Sequence, residues 1–249
     1  MNSSTITRKV SKLDNSLLSA SPVRTLTPHK IVQNKPDQFP SALAHEIRNP
    51  LSNINLAADM LKSTLITDDQ KKYLDIVRRG SVRINDLVTD LLLYFQPGEA
   101  HSEKYSIHQL LEDALTTIAD RITLKNITVK KYYTILDCKI FVDKQNMKIA
   151  LSNILINAID AMSSENGQLT LITKSVNGRC IIEIKDNGIG ISKENLKNIF
   201  KPFYTNKPSG MGLGLSTTLN ILLSNHVRVD VQSDEGMGTS FFLSFNKVP

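Results

Sequence analysis

The chain has 249 residues, 41% of them hydrophobic and 22% charged, with a net charge of +6. That length accommodates one large domain or two modest ones, and the composition excludes a fibre or a wholly disordered chain. The first 40 residues hold six Lys/Arg against two Asp/Glu, residues 41–97 seven against seven, and residues 98–249 17 against 15. Most of the basic surplus therefore sits on a tail, which argues against a nucleic-acid-reading face on the folded part. No segment approaches the roughly 18 consecutive apolar residues of a membrane span, and the N-terminus lacks the pattern of a secretory signal. Cys138 and Cys180 are far apart and in no CxxC spacing. The expectation is two reduced structural thiols in a cytoplasmic protein.

Residues 1–37 are rich in Ser, Thr and Asn, include Pro22, Pro28 and Pro36, and read as a flexible tail or linker. From Ser41 the pattern is helical, with Leu43, Ile47, Leu51, Ile54, Ala58, Leu61 and Leu65 on one stripe. Thr67-Asp68-Asp69-Gln70 has capping-box chemistry and opens a second helix that runs to about Phe95. Its stripe is Tyr73, Val77, Gly80, Ile84, Leu87, Leu91 and Tyr94, and Pro97-Gly98 ends it. One hairpin cannot bury two such narrow seams, so residues 38–97 are expected to pair with a second copy as a homodimeric four-helix bundle.

A linker over 98–104 precedes a domain over 105–249 in which the period changes. A helix at about 106–120 is followed by strand-like runs at 127–135 and 139–142, then by a long helix at about 144–162. Strands at 169–176 and 180–185 flank Asn177-Gly178, a strong hairpin signal. A helix at about 212–224 and strands at 227–232 and 239–245 complete a two-layer α/β sandwich.

Four stretches carry chemistry. In Ala44-His45-Glu46-Ile47-Arg48-Asn49-Pro50, His45 lies about 200° around the helix from the apolar stripe. Its ring is expected in solvent beside a carboxylate, as a nucleophile with Glu46 as its base. Pro50 removes a helix hydrogen bond just beyond it. On the long helix, Asn153 and Asn157 are four residues apart on one face, and their amide oxygens could bond to backbone or hold a hard cation against phosphates. Asp186-Asn187-Gly188-Ile189-Gly190 is either a plain turn or a carboxylate facing an exocyclic amine, with glycines that let backbone approach a base. Gly210-Met211-Gly212-Leu213-Gly214-Leu215-Ser216 opens a helix whose amides suit phosphate, with Lys207 upstream as a point charge. It lacks the Gly-Lys-Ser/Thr of a Walker loop and the βαβ context of a dinucleotide fold.

The ordered set of His box, Asn helix, Asp-Asn-Gly-Ile-Gly, Lys201-Pro202-Phe203-Tyr204-Thr205-Asn206-Lys207, Gly-rich segment and Gly236-Met237-Gly238-Thr239 resembles the sensor histidine kinases of two-component systems over about residues 38–246. The second part is similar to the ATP-binding fold of gyrase-type, Hsp90-type and MutL-type ATPases, and the His box sets the chain apart from those. The resemblance implies ATP and Mg²⁺ as cofactors, autophosphorylation of His45, and transfer to an aspartate of a response regulator receiver domain. It implies that Glu46 is the acid/base and that Asn49 places water for dephosphorylating the partner. Asn157 would ligate Mg²⁺ with Asn153 beside it, while Asp186 with Thr239 would read adenine. Residues 201–212 would form a short lid of the nitrogen-regulation type; Lys207, Gly210, Gly212, Leu213, Gly214 and Leu215, in the lid and just beyond it, would bind the nucleotide, as would Gly188 and Gly190. Asp160 departs from the pattern, since many relatives carry Lys or Arg there. No sensory region precedes the His box, so the signal is expected through an upstream sensor protein, unless the chain is a shortened one. A dimeric scaffold, a phosphatase-dominant protein and an ATPase without phosphohistidine are the rival readings.

Overall fold

The computed structural model describes residues 39–62, 67–95, 102–163, 165–207 and 211–248. The proposed tail over 1–37 lies outside them. A helical hairpin comes first, formed by α1 (Phe39–Lys62) and α2 (Asp68–Phe95). The capping box closes as its residue types require: the Thr67 hydroxyl accepts from the Gln70 N–H at 3.2 Å, and the Gln70 amide oxygen accepts from the Thr67 N–H at 3.1 Å. Arg48 reaches across to the Thr89 hydroxyl at 3.2 Å.

The seam between the helices keeps only part of the stripe that periodicity picked out, Leu51 and Ala58 among it. Ala44, Leu51 and Ala58 on α1 and Ser81 and Val88 on α2 are buried, each set spaced by seven. Ile54, Leu61, Tyr73, Val77 and Ile84, expected in the stripe, are exposed, Tyr73 at 70%. Small residues let the two helices of one hairpin approach closely, which leaves the bulkier stripe on the outside.

The rest is built on a five-stranded mixed sheet of order β2-β4-β5-β7-β6 and a two-stranded one, β1-β3. The strands are β1 (Ser102–Ser106), β2 (Thr128–Tyr132), β3 (Lys139–Asp143), β4 (Gln168–Val176), β5 (Arg179–Asp186), β6 (Arg228–Ser233) and β7 (Thr239–Asn246). The helices are α3 (Ile107–Thr117), α4 (Ala119–Leu124), α5 (Lys144–Ala161), the short α6 (Lys193–Leu196) and α7 (Gly214–Ser224). Strand β2 runs parallel to β4, and the other pairings are antiparallel. Asn177 and Gly178 both have positive φ, 50° and 72°, as the tight turn joining β4 to β5 demands. Alternate residues of β4, β5 and β7, among them Leu171, Ile182, Ile184 and Leu243, enter a core shared with Leu110, Leu111, Leu151, Ile154 and Leu222. One face of the sheet is thus covered by α3, α5 and α7, giving the expected two-layer arrangement. Helix α7 also meets α2 of the hairpin.

Three expectations need correcting. Part of the proposed linker, residues 102–104, is strand β1 paired to β3, a pairing that a short polar run does not announce. The helix expected at 106–120 breaks at Ile118, after the Thr116 and Thr117 hydroxyls turn back to the carbonyls of Glu112 and Asp113. Cys138 and Cys180 are joined as a disulfide with Cα atoms 6.1 Å apart, not separate thiols. Their separation of 42 residues hid an approach that depends on how the segment before β3 packs on β5. No helix among the described residues is long and apolar enough to cross a membrane.

Candidate active site

Helix α5 supplies the floor. Its N-cap is Asp143, whose carboxylate accepts from the Asn146 N–H at 3.0 Å, and most of its turns are buried. On the one polar face stand Asn153, Asn157 and Asp160. The Asn153 amide donates to the Gly214 carbonyl at 3.3 Å and so ties α5 to the first residue of α7. Asn157 Oδ1 and Asp160 Oδ2 both accept from the Lys207 ammonium, at 2.9 and 2.7 Å. Arg121 lies 4.0 Å from the other oxygen of Asp160.

Asp186 ends β5 and is buried, at 3% exposure. Its Oδ1 accepts from the Gly188 N–H at 2.8 Å and the Thr239 N–H at 3.2 Å. Burial pushes its carboxyl above the usual carboxylate range, and the two amide bonds only partly oppose that. The loop after it is tied at both ends to its neighbours, though Ile189 itself is exposed. Ile189 donates its N–H to the Ala161 carbonyl at the end of α5, and its own carbonyl accepts from Gly236 at 2.7 Å. A Cβ on Gly188 would lie 2.5 Å from the Ala161 oxygen, and one on Gly238, whose φ is +83°, would collide with the Asp186 carbonyl. Asn187 serves the scaffold: its side chain bonds the Gln168 N–H and the Asn166 carbonyl.

The segment before α7 is held at several points. The Tyr204 hydroxyl donates to Asn195 at 2.8 Å, and the Lys207 N–H donates to the Thr205 hydroxyl at 3.0 Å. Gly212, at φ +72°, packs on the backbone of Phe203 and Tyr204. Leu213 is buried, Leu215 packs against the core, and Gly214 begins α7. Gly210 lies outside the described residues.

The structure therefore gathers Asn153, Asn157, Asp186, Gly188, Gly190, Lys207, Gly212, Gly214 and Thr239 at one end of α5. Glu46 and Asn49 are exposed on α1 of the hairpin, a separate element. His45 occupies α1 between them, and its side chain is outside the described residues, as is the solvent-facing ring expected for it. One contributor was missed. Ser233 accepts from the Ile191 N–H at 2.8 Å and stands 3.0 Å from the Thr239 hydroxyl, and nothing in its local sequence marks it. Asp160 stands with Asn153 and Asn157 on the long helix in the sequence as well; its bond to Lys207, from a segment 47 residues away, is what the sequence did not announce.

Comparison with known proteins agrees in both parts. Residues 37–99 match the His Kinase A (phospho-acceptor) domain, and residues 142–249 match the histidine kinase-, DNA gyrase B- and HSP90-like ATPase family. Sporulation kinase C of Bacillus subtilis (strain 168) is 32% identical over 205 residues, covering 82% of this chain and 47% of that protein. The chain thus spans about half the length of that relative. Among solved structures, full-length ShkA in complex with AMPPNP is similar with a TM-score of 0.73 at 24% identity, over 85% of this chain and 46% of that one. ThkA in complex with the response regulator TrrA gives 0.62 at 24% identity, over 85% and 62%. At those identities the likeness is one of fold.

Proposed function

From its membership of the two-component sensor histidine kinases, we propose that this chain transfers the γ-phosphoryl group of ATP to His45 and then to an aspartate of a response regulator receiver domain. The observation that carries the reading is the convergence at one end of α5. A buried carboxylate, Asp186, is fixed there by two backbone amides, and a cationic Lys207 rests on Asn157 at the start of the Gly-rich approach to α7.

Asp186 accepts from the exocyclic amine of adenine, and Gly188 and Gly190 let the loop that follows it pack closely on the backbone of Ala161 and Asp234. The opening amides of α7 and Lys207 take the phosphates. Lys207 already rests on Asn157 Oδ1 as a stand-in cation, so the oxygen donors there fit Mg²⁺. Asn157 would hold the ion, which would supply neutralisation of the phosphate charge. Asn153, spent on the Gly214 carbonyl, holds α7 against α5. Glu46 takes the proton from the His45 ring, so that a ring nitrogen attacks the γ-phosphorus while ADP leaves. The exposed Ile54, Tyr73, Val77 and Ile84 form the seam on which a second copy closes a four-helix bundle. On this reading residues 38–97 are the phosphotransfer hairpin, the catalytic domain starts with β1 at Ser102, and the protein works in the cytoplasm with input from an upstream sensor.

Incubation with γ-labelled ATP and Mg²⁺ tests it. Acid-labile, alkali-stable label that His45→Ala abolishes and that a receiver domain removes is the expected result. Binding of ATP without label in the wild type would overturn the kinase reading in favour of a scaffold.

A further inference from the structure

Lys207 is given a phosphate-binding role above, yet its ammonium is committed elsewhere. It lies between Asn157 Oδ1 and Asp160 Oδ2, 2.9 and 2.7 Å away, and those two residues stand one helical turn apart on α5. A neutral amide oxygen and a carboxylate converging on one positive centre are what a hard divalent ion requires. We propose that Asn157 and Asp160 together form the divalent-cation seat, with Asp160 as its anionic ligand, and that the Lys207 ammonium is the resident cation until metal and nucleotide arrive. The identity of that cation rests on the nucleotide reading, which this inference deepens by one ligand and one exchange.

The exchange follows from charge and exposure. The side chains of Lys207 and Asp160 are 44% and 31% exposed, so their ion pair is a weak, solvent-screened one. A divalent ion brings twice the charge and, with phosphate oxygens completing its shell, displaces a single ammonium. Lys207 cannot hold Asp160 and a phosphate at once; its release by the metal places a free ammonium beside the incoming triphosphate. Arg121, 4.0 Å from the other Asp160 oxygen, keeps the carboxylate near the helix face as this happens. Metal-free nucleotide, in contrast, meets an Asp160 carboxylate whose nearer neutralising partner is the lysine that the phosphates need.

The test uses Mn²⁺ alone as the probe, with free ion measured by electron paramagnetic resonance on nucleotide-free protein. Lys207→Met removes the resident cation and is expected to tighten Mn²⁺ binding about three- to fivefold, the worth of an exposed pair. Adding Asp160→Asn to that variant is expected to weaken Mn²⁺ binding about tenfold, through loss of the anionic ligand. Both side chains are partly exposed, and circular dichroism confirms that each variant is folded. Equal Mn²⁺ retention by wild type and Lys207→Met, including none by either, overturns the resident cation. Equal retention by Lys207→Met and the double variant overturns Asp160 as a ligand. Binding of a fluorescent ATP analogue to the wild type, with and without Mg²⁺, is measured separately. Its absence would retire the nucleotide reading whatever the Mn²⁺ titrations give, so the two failures are distinguishable.

Discussion

The backbone N–H of Thr239 donates to the carboxylate of Asp186 at 3.2 Å, joining the start of β7 to the end of β5 across 53 residues of sequence. The same oxygen takes the Gly188 amide, so one buried side chain sets the positions of two loops at the edge proposed to take the base.

Replacing Asp186 by Ala leaves both amides without their acceptor and is expected to abolish binding of a fluorescent ATP analogue. Asp186→Asn keeps an acceptor oxygen and should preserve the fold while weakening binding. The pH dependence has a definite sign. Burial raises the native carboxyl above its unfolded value, so ionisation costs native stability as pH rises from about 4 through the raised native value. The Asn variant has no such cost. Urea titrations at pH 4 and pH 7 should therefore show its stability relative to wild type improving with pH; a constant difference would sink this account.

Gly238 has φ +83°, and a methyl group there meets the Asp186 carbonyl. Gly238→Ala is expected to cost about 1–3 kcal/mol, from the left-handed backbone and the steric overlap together. A thermal unfolding curve unchanged from wild type would show that the turn relaxes freely.

The reciprocal Thr67–Gln70 bonds satisfy two free amides at the start of α2. Thr67→Ala should destabilise the hairpin by about 1 kcal/mol. Thr67→Ser, which keeps the hydroxyl, should restore most of that, as judged by denaturant midpoint at a fixed protein concentration.

The two stripes of the hairpin can be separated by mutation. Val77 is exposed, so Val77→Glu should leave the hairpin folded and shift the protein from dimer to monomer in analytical ultracentrifugation. Val88 is buried at 5%, and Val88→Ala should instead lower stability by about 1–3 kcal/mol with less effect on assembly. The opposite pattern would exchange the roles of the seams.

Much of the molecule was legible because local rules suffice for it. The capping box at Thr67, the Asn177-Gly178 turn and the alternation of β4, β5 and β7 each depend on residues within a few positions of one another. The order of the chemical motifs likewise pointed to the family before any coordinates. Strand β1 was not legible, since its polar residues become a strand only through β3, and of the hairpin's expected stripe only part, Leu51 and Ala58 on α1, faces the partner helix.

The sequence alone singled out the side chains proposed to carry chemistry here: a histidine in a helical hairpin, an Asn helix, an aspartate before glycines, and a Gly-rich helix start. Only the tertiary structure decided their partners. The Lys207 ammonium on Asn157 and Asp160, Ser233 beneath Thr239, and the union of Cys138 with Cys180 each join segments separated by several residues to several tens of residues. Such contacts follow from sheet order and helix packing, which fix distances in space that spacing along the chain does not encode.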